Sequence, residues 1–403
     1  MKQLAILGGE PACTEGFEKW PQWGESEKQE LIRALDTGWW GIGSSVVEEW
    51  EKRFSEIQGV SHCSSVCNGT LSLVVGLRAL GIGPGDEVIV PPYTFLATAS
   101  AVLWVGAIPV FADIQIETHN IDPNSIREHI TSKTKAIIPV HVAGCPCDMD
   151  SILEIAKEHN LKVFEDAAQA HGATWKGKGV GGIGDLGSFS FQSSKNLPAG
   201  EGGMITTENK ELWDFCDRIK NCGRPPKDSE FSHETVGTNA RMSAFSAAVL
   251  LAQAERFNLQ FDQRERNWNC LREALEEVPG VDLQARDPRI DRHALHLLVL
   301  RYDSGEFGGL PRETFIKALA AEGIEAPHGG YQPIYKNPGF LNDAAQCLKG
   351  QEVPHYEEHE LPHTEKVCSE ISVWIRQNAL LGETTSRVEQ IAEAIQKIQS
   401  QAG

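Results

Sequence analysis

The chain has 403 residues, of which 41% are hydrophobic, and it carries a formal net charge of -19. This length and composition predict a large folded protein with more than one domain and exclude a disordered or fibrous one. The acidic balance opposes binding to nucleic acid and to an anionic membrane surface.

Between residues 60 and 210, short apolar runs alternate with segments of helical periodicity, as a parallel α/β sheet requires. Several runs are apolar on successive residues, which is typical of strands covered by helices on both faces. The predicted strands are residues 87–90, 108–112, 136–140, 162–165, 186–191 and 204–207. The predicted helices are residues 71–80, 96–104, 149–159 and 210–220, the third capped by Asp148 or Asp150. We therefore predict a doubly wound sheet.

The pattern changes after residue 241. Residues 243–277 lack Gly and Pro and predict a long helix, interrupted at most around residues 257–262. A smaller α+β domain follows, with a strand at 294–302 and helices at 312–322 and 385–400. The predicted domains are a large α/β domain with an N-terminal arm at 1–250 and a small C-terminal domain at 251–403.

Two glycine-rich stretches resemble nucleotide-binding loops but stand in the wrong place. Residues 182–187 match the dinucleotide pattern G-x-G-x-x-G. That fingerprint must follow a strand and open a helix, whereas this stretch leads into the strand predicted at 186–191. The glycines at 81, 83 and 85 likewise lead from a helix into a strand. We predict turns at both places and no Rossmann-type cofactor.

Two clusters of metal-ligating residue types have plainer interpretations. Cys145 and Cys147 have no second cysteine pair at the spacing of a zinc site, so we interpret them as part of a loop. His355, His359 and His363 have the spacing of one helix face, but nearby prolines argue against a continuous helix, and we predict a polar loop. The sequence therefore predicts no metal site.

Cysteine usage and hydropathy predict the compartment. Ten cysteines without a secretory signal indicate reduced thiols and not a disulfide framework. No stretch is apolar enough for the length that a bilayer requires, and the apolar run at the N-terminus is too short for a signal peptide. We expect a cytoplasmic protein.

The most informative residues are a lysine and an aspartate that each follow a predicted strand. Lys195 comes just after the strand at 186–191 and ahead of a glycine-rich turn at 200–203, and Asp166 follows the strand at 162–165. A lysine amine can hold the aldehyde of pyridoxal 5′-phosphate (PLP) as an imine, and a carboxylate keeps its pyridine nitrogen protonated. Alone, each residue has an ordinary interpretation, a surface lysine or a helix cap. Together they predict PLP.

Two further segments could serve the same cofactor. Residues 68–70, Asn-Gly-Thr, precede a predicted helix, where unpaired N–H groups and the helix dipole favour a phosphate, although an ordinary N-cap is the alternative. Phe95 follows the strand at 87–90 and would lie at the carboxyl edge of the sheet. Its ring could cover one face of a flat cofactor, with buried packing as the alternative.

Four stretches together resemble one protein family, and the match runs nearly end to end. They are GPGDEVIVP at 83–91, EDAAQAHG at 165–172, SFQSSK at 190–195 with GEGG at 200–203, and NARM at 239–242. The chain resembles the DegT/StrS-type sugar and cyclitol aminotransferases, PLP enzymes of fold type I. Residues 330–338 look most like the branch that acts on scyllo-inosose. This resemblance implies a mostly parallel seven-stranded sheet flanked by helices, with a smaller C-terminal α+β domain.

The resemblance implies roles for residues at matching positions. Lys195 would form the internal aldimine, and Asp166 would hold the pyridinium proton. Gln169 would lie near the ring hydroxyl, and Phe95 would stack on the ring. The other implied cofactor-binding residues are Thr70, Leu71 through its backbone N–H, Ala168, Ser190 and, from the partner chain of a homodimer, Asn239.

The implied reaction is a ping-pong transfer of an amino group from L-glutamate or L-glutamine to a keto sugar or keto cyclitol, with Lys195 moving the proton. A PLP-dependent sugar dehydratase and a non-catalytic PLP-binding regulator are alternatives on the same scaffold. Lys195 argues against the dehydratase, where a histidine replaces it, and the lack of a basic DNA-binding segment argues against the regulator. Arg241 could receive a donor carboxylate or form a structural salt bridge.

Overall fold

A computed structural model describes residues 3–225 and 232–402. Its strands are β1 (His62–Val66), β2 (Glu87–Val90), β3 (Ile108–Phe111), β4 (Thr134–Ile137), β5 (Lys162–Asp166), β6 (Thr174–Trp175), β7 (Lys178–Gly179), β8 (Leu186–Ser190), β9 (Gly203–Thr207), β10 (Val281–Leu283), β11 (Ile290–Arg292), β12 (Leu297–Tyr302) and β13 (Ser372–Arg376). Its α-helices are α1 (Glu25–Asp36), α2 (Ser45–Gln58), α3 (Gly69–Ala79), α4 (Ala97–Trp104), α5 (Pro123–Glu128), α6 (Met149–His159), α7 (Lys210–Lys220), α8 (Ala244–Leu275), α9 (Arg312–Ala321), α10 (Pro338–Cys347), α11 (Pro362–Lys366) and α12 (Ser386–Gln399).

The large sheet has seven strands in the order β1-β9-β8-β5-β4-β2-β3. Every neighbouring pair from β8 to β3 is parallel, which confirms the predicted fold class. Strand β9 runs antiparallel to both β1 and β8. The sequence prediction had no strand at β1, because two of its buried residues are serines, Ser64 and Ser65, where an apolar run would have marked it.

Strand β2 shows why the central strands are apolar on successive residues. Val88 and Val90 belong to the core on one face of the sheet, beside residues of α3 and α4. Ile89 points to the opposite face and packs with Ile152 and Ile155 of α6. Since successive side chains alternate between faces, a strand with helices on both sides must be apolar throughout. Each fully buried side chain of this kind stabilises the fold by about 1.5–3 kcal/mol.

A second antiparallel sheet, β10-β12-β13, lies in the C-terminal part. Its core includes buried residues of α9 and α12, such as Phe315 and Ile391, and also takes Cys13 and Phe17 from the N-terminal segment. A later segment behaves differently, since Tyr335, a residue after α9, packs in the core of the large sheet. The domain division at residue 250 stays a prediction.

Helix α8 matches the long helix predicted from residue 243. The interruption allowed for around residues 257–262 does not occur, because Ala244–Leu275 is one helix. Phe257 and Phe261 are both buried on its inner face, and their i, i+4 spacing keeps the apolar stripe continuous through this region. No helix in residues 3–225 and 232–402 combines the length and apolarity needed to cross a membrane.

Candidate active site

The residues that end the central strands line one cavity of about 1550 Å³. Asp166 ends β5 and Ser190 ends the neighbouring β8, so both lie at the carboxyl edge of the sheet, where ligands bind in open α/β folds. All predicted cofactor-binding residues except Asn239 line this cavity; they are Thr70, Leu71, Phe95, Asp166, Ala168, Gln169, Ser190 and Lys195.

Asp166 is a buried carboxylate, 6% exposed. Its Oδ2 accepts a hydrogen bond from Thr98 Oγ1 at 2.8 Å, and its Oδ1 accepts one from the N–H of Ala168 at 3.2 Å. Burial raises the pKa of this carboxyl, and the two hydrogen bonds and the charge of Lys195 oppose the rise. A cationic N–H donor in the cavity would favour its ionised form.

Lys195 lies on the segment that joins β8 to β9, and its Nζ has no hydrogen-bond or ion-pair partner among the described residues. Burial lowers the pKa of this amine to about 8, with a smaller opposing effect from Asp166. An ordinary lysine has a pKa of about 10.4. At pH 7 the fraction of Lys195 in the neutral, nucleophilic form is therefore far larger than the fraction of an ordinary lysine in that form.

The backbone ahead of Lys195 is held by two distant parts of the chain. Trp20 Nε1 donates to the carbonyl of Ser193 at 3.0 Å, and Gln377 Nε2 donates to the carbonyl of Ser194 at 2.9 Å. Neither contact was predicted, because each joins residues more than 170 positions apart. These bonds fix the lysine backbone while its amine remains available.

An anion cradle lies at the start of α3. The side chain of Asn68 caps the helix by accepting the N–H of Leu71 at 2.8 Å, so that N–H is already used. The N–H groups of Gly69 and Thr70 have no acceptor among the described residues. A Cβ on Gly69 would lie 2.7 Å from Cβ of Ser190, so glycine is what lets these two segments approach. Free N–H groups at a helix N-terminus favour a phosphate.

The Gln169 amide is oriented by its neighbours on the other side of Asp166. Its Oε1 accepts the N–H of Ala143 at 2.7 Å, and its Nε2 donates to the hydroxyl of Tyr331 at 3.0 Å. This arrangement presents the amide nitrogen, a donor, at the cavity.

Phe95 and Trp104 form an exposed aromatic part of the cavity wall. Their exposed fractions are 63% and 61%, unusually high for rings of this size. Phe95 is therefore not packed in the core, and its ring is available to a ligand.

Asn239 does not join the cavity within one chain. It is exposed and forms an isolated antiparallel bridge with Asn221. Arg241 Nη1 donates to Asn221 Oδ1 at 2.9 Å and to Cys222 Sγ at 3.6 Å, so among the described residues it contacts neutral partners and not a salt-bridging acid, while its contact with a donor carboxylate stays a prediction.

Comparison with known proteins identifies the family. The model of the DegT/DnrJ/EryC1/StrS aminotransferase family matches residues 21–396. The chain belongs to this family. It is 34% identical to a putative L-glutamine:3-amino-2,3-dideoxy-scyllo-inosose aminotransferase of Streptoalloteichus tenebrarius, covering 98% of this chain and 97% of the relative. It is also 34% identical to 3-amino-5-hydroxybenzoate synthase of Amycolatopsis mediterranei, over 94% of this chain and 97% of the relative.

A solved structure supports the same assignment. The crystal structure of 3-amino-5-hydroxybenzoic acid synthase superposes with a TM-score of 0.85 at 32% sequence identity, covering 96% of this chain and 99% of that one. As a member of the DegT/DnrJ/EryC1/StrS aminotransferase family, the protein is a PLP-dependent aminotransferase of fold type I.

The cavity of this family member fits PLP on three independent points. Gly69 and Thr70 leave helix N–H groups free for the phosphate. Asp166 is a buried carboxylate without a cationic partner among the described residues, as the ring nitrogen requires. Lys195 offers an amine of lowered pKa for the aldehyde.

Sequence reasoning missed several residues of this site. Thr98, which binds Asp166, follows Phe95 by three positions at the start of α4, and that spacing was the available signal. Tyr331 lay in the 330–338 stretch that carried the resemblance but received no role. His296, Arg376 and Gln377 also line the cavity, and nothing in the local pattern marks them.

The other motifs have structural roles. The N–H groups of Gly181, Ile183 and Gly184 donate to the carboxylate of Glu165 at 2.7–2.8 Å, so the predicted turn at 182–187 is a structural loop. His355 and His359 flank a single helical turn, and His363 lies in α11 and not in the predicted loop. In the described part of the chain, no group of three or more His, Cys, Asp or Glu residues could hold a metal ion.

Proposed function

We propose that this aminotransferase moves an amino group from L-glutamine or L-glutamate to a keto cyclitol or a non-nucleotide keto sugar, using Lys195 and Asp166. One observation supports this assignment of residues: Lys195 and Asp166 line the same cavity. The Lys195 amine has a lowered pKa, and the Asp166 carboxylate is buried. A dehydratase or a non-catalytic regulator is not favoured, since the chain belongs to an aminotransferase family and retains the lysine.

When bound, PLP supplies an aldehyde that condenses with amines and a ring that withdraws electron density from the substrate carbon. Lys195 Nζ would hold that aldehyde as an imine, and a donor amine would take its place. Once displaced, this Nζ would be the base that takes the proton from the substrate carbon and delivers it to the aldehyde carbon of the cofactor, a transfer that suits an amine with a pKa of about 8 near neutral pH.

Asp166 holds a proton on the ring nitrogen through an ionic hydrogen bond, which maintains the electron demand of the ring. Thr98 orients that carboxylate through its hydrogen bond to Oδ2. Gly69, Thr70 and Ser190 bind the phosphate through N–H and hydroxyl donors, and Phe95 covers one face of the ring. The roles of Leu71, whose N–H serves the Asn68 cap, and of Ala168 stay predictions.

The names of relatives support the substrate class. Four of the similar proteins are named as L-glutamine-dependent aminotransferases of scyllo-inosose derivatives. Another relative is named GDP-perosamine synthase, at 38% identity over 82% of this chain. Leu71 lines the cavity, whereas the neighbouring Ser72 is buried outside it.

The experiment is a half-reaction followed by visible absorption. Addition of L-glutamine or L-glutamate to the PLP-loaded protein should bleach the band of the lysine-bound cofactor, and the more effective of the two is the donor. Keto cyclitols and a nucleotide-linked keto sugar are then added separately, and return of the band identifies the acceptor. A band that returns only with the nucleotide-linked sugar would contradict the proposed substrate class.

We further propose that the enzyme works as a homodimer in the cytoplasm, with Asn239 of one chain completing the phosphate site of the other. Support comes from the exposed position of Asn239 and from large exposed rings, Trp39 at 66% and Trp104 at 61%, that a second protomer would cover. All ten cysteines are free thiols, which fits a reducing compartment.

A further inference from the structure

Tyr331 lines the cavity and lies in a loop that contacts residues of both the large-sheet part of the fold and the C-terminal sheet. Its ring packs edge-on against Tyr93, which follows β2, and against Trp374 of β13, with ring centroids 5.6 Å and 4.7 Å away. The preceding Gly330 has a φ of +80°, and a Cβ there would collide with Tyr93 Oη and Trp374. Packing on two sides therefore fixes where the Tyr331 hydroxyl lies.

The hydrogen bonds of this hydroxyl leave its proton without an acceptor. Gln169 Oε1 is occupied by the N–H of Ala143, which fixes the amide orientation and makes Gln169 Nε2 the donor to Tyr331 Oη. Tyr331 Oη is thus an acceptor in that bond, and its own O–H has no acceptor among the described residues. The second N–H of Gln169 Nε2 is also unassigned, so two adjacent donors are available to one ligand atom.

The sheet order tells which ligand atom this is. Strand β5, with Asp166 at its end, lies between β8 and β4. Ser190 and the N–H groups of the phosphate cradle are on the β8 side. On the other side, Gln169 is bonded both to Ala143, which follows β4, and to Tyr331. In PLP the phosphate arm and the ring hydroxyl flank the aldehyde on opposite sides. A ring with its phosphate on the β8 side has its hydroxyl on the β4 side.

We propose that Tyr331 is a cofactor-binding residue that donates its O–H to the ring hydroxyl oxygen of PLP, beside the amide of Gln169. This inference rests on the proposed attachment of PLP at Lys195 with its nitrogen at Asp166. Two donors stabilise the ionised form of that oxygen, since hydrogen bonds to a charged form favour it. Burial and the nearby Asp166 raise the pKa of Tyr331, so the phenol stays protonated and can donate.

The first test is a pH titration of the visible spectrum of the PLP-loaded Tyr331→Phe protein. Without the phenolic donor the ring oxygen becomes more basic and holds its shared proton more tightly, so the spectral midpoint should move up by about one pH unit. Tyr93→Phe is the matched control, because Tyr93 packs in the same aromatic cluster but its hydroxyl donates to Ser372, and its midpoint should equal that of the wild type.

The second test measures binding and stands even if Tyr331→Phe holds PLP poorly. The affinity of each apoprotein is measured for PLP and for the analogue that lacks the ring hydroxyl. Tyr331→Phe should weaken PLP binding by about three- to tenfold and leave analogue binding unchanged. Equal weakening of both ligands, or an unmoved spectral midpoint in a protein that shows the band, would overturn the inference. A wild-type protein without a lysine-linked band would instead contradict the proposed attachment.

Discussion

The carboxylates of Glu165 and Asp166, neighbours in sequence at the end of β5, lie on opposite faces of the sheet and have opposite roles. Glu165 is fully buried and accepts hydrogen bonds from three backbone N–H groups and from His141 Nε2 at 3.1 Å. Asp166 faces the cavity and accepts two hydrogen bonds from the residues that the structure describes. Alternation along a strand therefore separates a carboxylate that binds the surrounding loops from one that faces the cavity.

Glu165→Gln should destabilise the protein. The amide would place a donor against N–H groups that need an acceptor, so we expect a loss of about 2–4 kcal/mol in the free energy of unfolding. Denaturant unfolding measures it. Glu158→Gln, on an exposed residue paired with Arg127, is the control and should leave the midpoint unchanged. Similar midpoints for both variants would contradict the structural role of Glu165.

Lys195→Ala should remove the covalently held cofactor and lower turnover by about 10³-fold or more. Borohydride reduction followed by mass spectrometry locates the attachment. The control is Lys19→Ala, an exposed lysine of the same cavity, which should still be labelled at Lys195. Labelled protein from Lys195→Ala would show that another amine carries PLP.

Asp166→Asn should keep PLP but lower turnover by about a hundredfold or more, because an amide cannot hold the ring nitrogen protonated. Thr98→Val removes one hydrogen bond to Asp166 Oδ2, and we expect a smaller loss of about three- to tenfold. Single-turnover kinetics with the donor amino acid measure both. A larger loss in Thr98→Val than in Asp166→Asn would reverse their proposed order.

The lowered pKa of Lys195 predicts a specific pH dependence. The neutral amine is the reactive form, so the rate at which apoprotein takes up PLP should rise with pH and level off above about 8. Stopped-flow absorbance from pH 6 to 10 follows this rise. A rate that still rises steeply at pH 10, as the ordinary lysine value of about 10.4 requires, would show that burial does not depress the pKa.

A shared phosphate site can be tested by mixing subunits. Lys195→Ala and Asn239→Asp proteins should each be nearly inactive, the second because a carboxylate repels the phosphate. After unfolding and refolding together, half the dimers pair one of each and regain one intact site, so about a quarter of wild-type activity should return. No recovery would place Asn239 outside the partner's site.

The sequence by itself determined the local elements and singled out the two residues proposed for the chemistry. Alternating apolar runs and helical periodicity predicted the central strands, and Lys195 and Asp166 stood out because each follows such a strand. These signals are local, since they depend on spacings of two to four residues.

Only the tertiary structure decided what surrounds those residues. Thr98 meets Asp166 across 68 positions of chain, and Gln169 meets Tyr331 across 162. The antiparallel direction of β9 and the position of Asn239 outside the cavity were likewise settled by chain path. Contacts between residues so far apart depend on how layers pack, and a local pattern carries no information about which distant side chains will share one cavity.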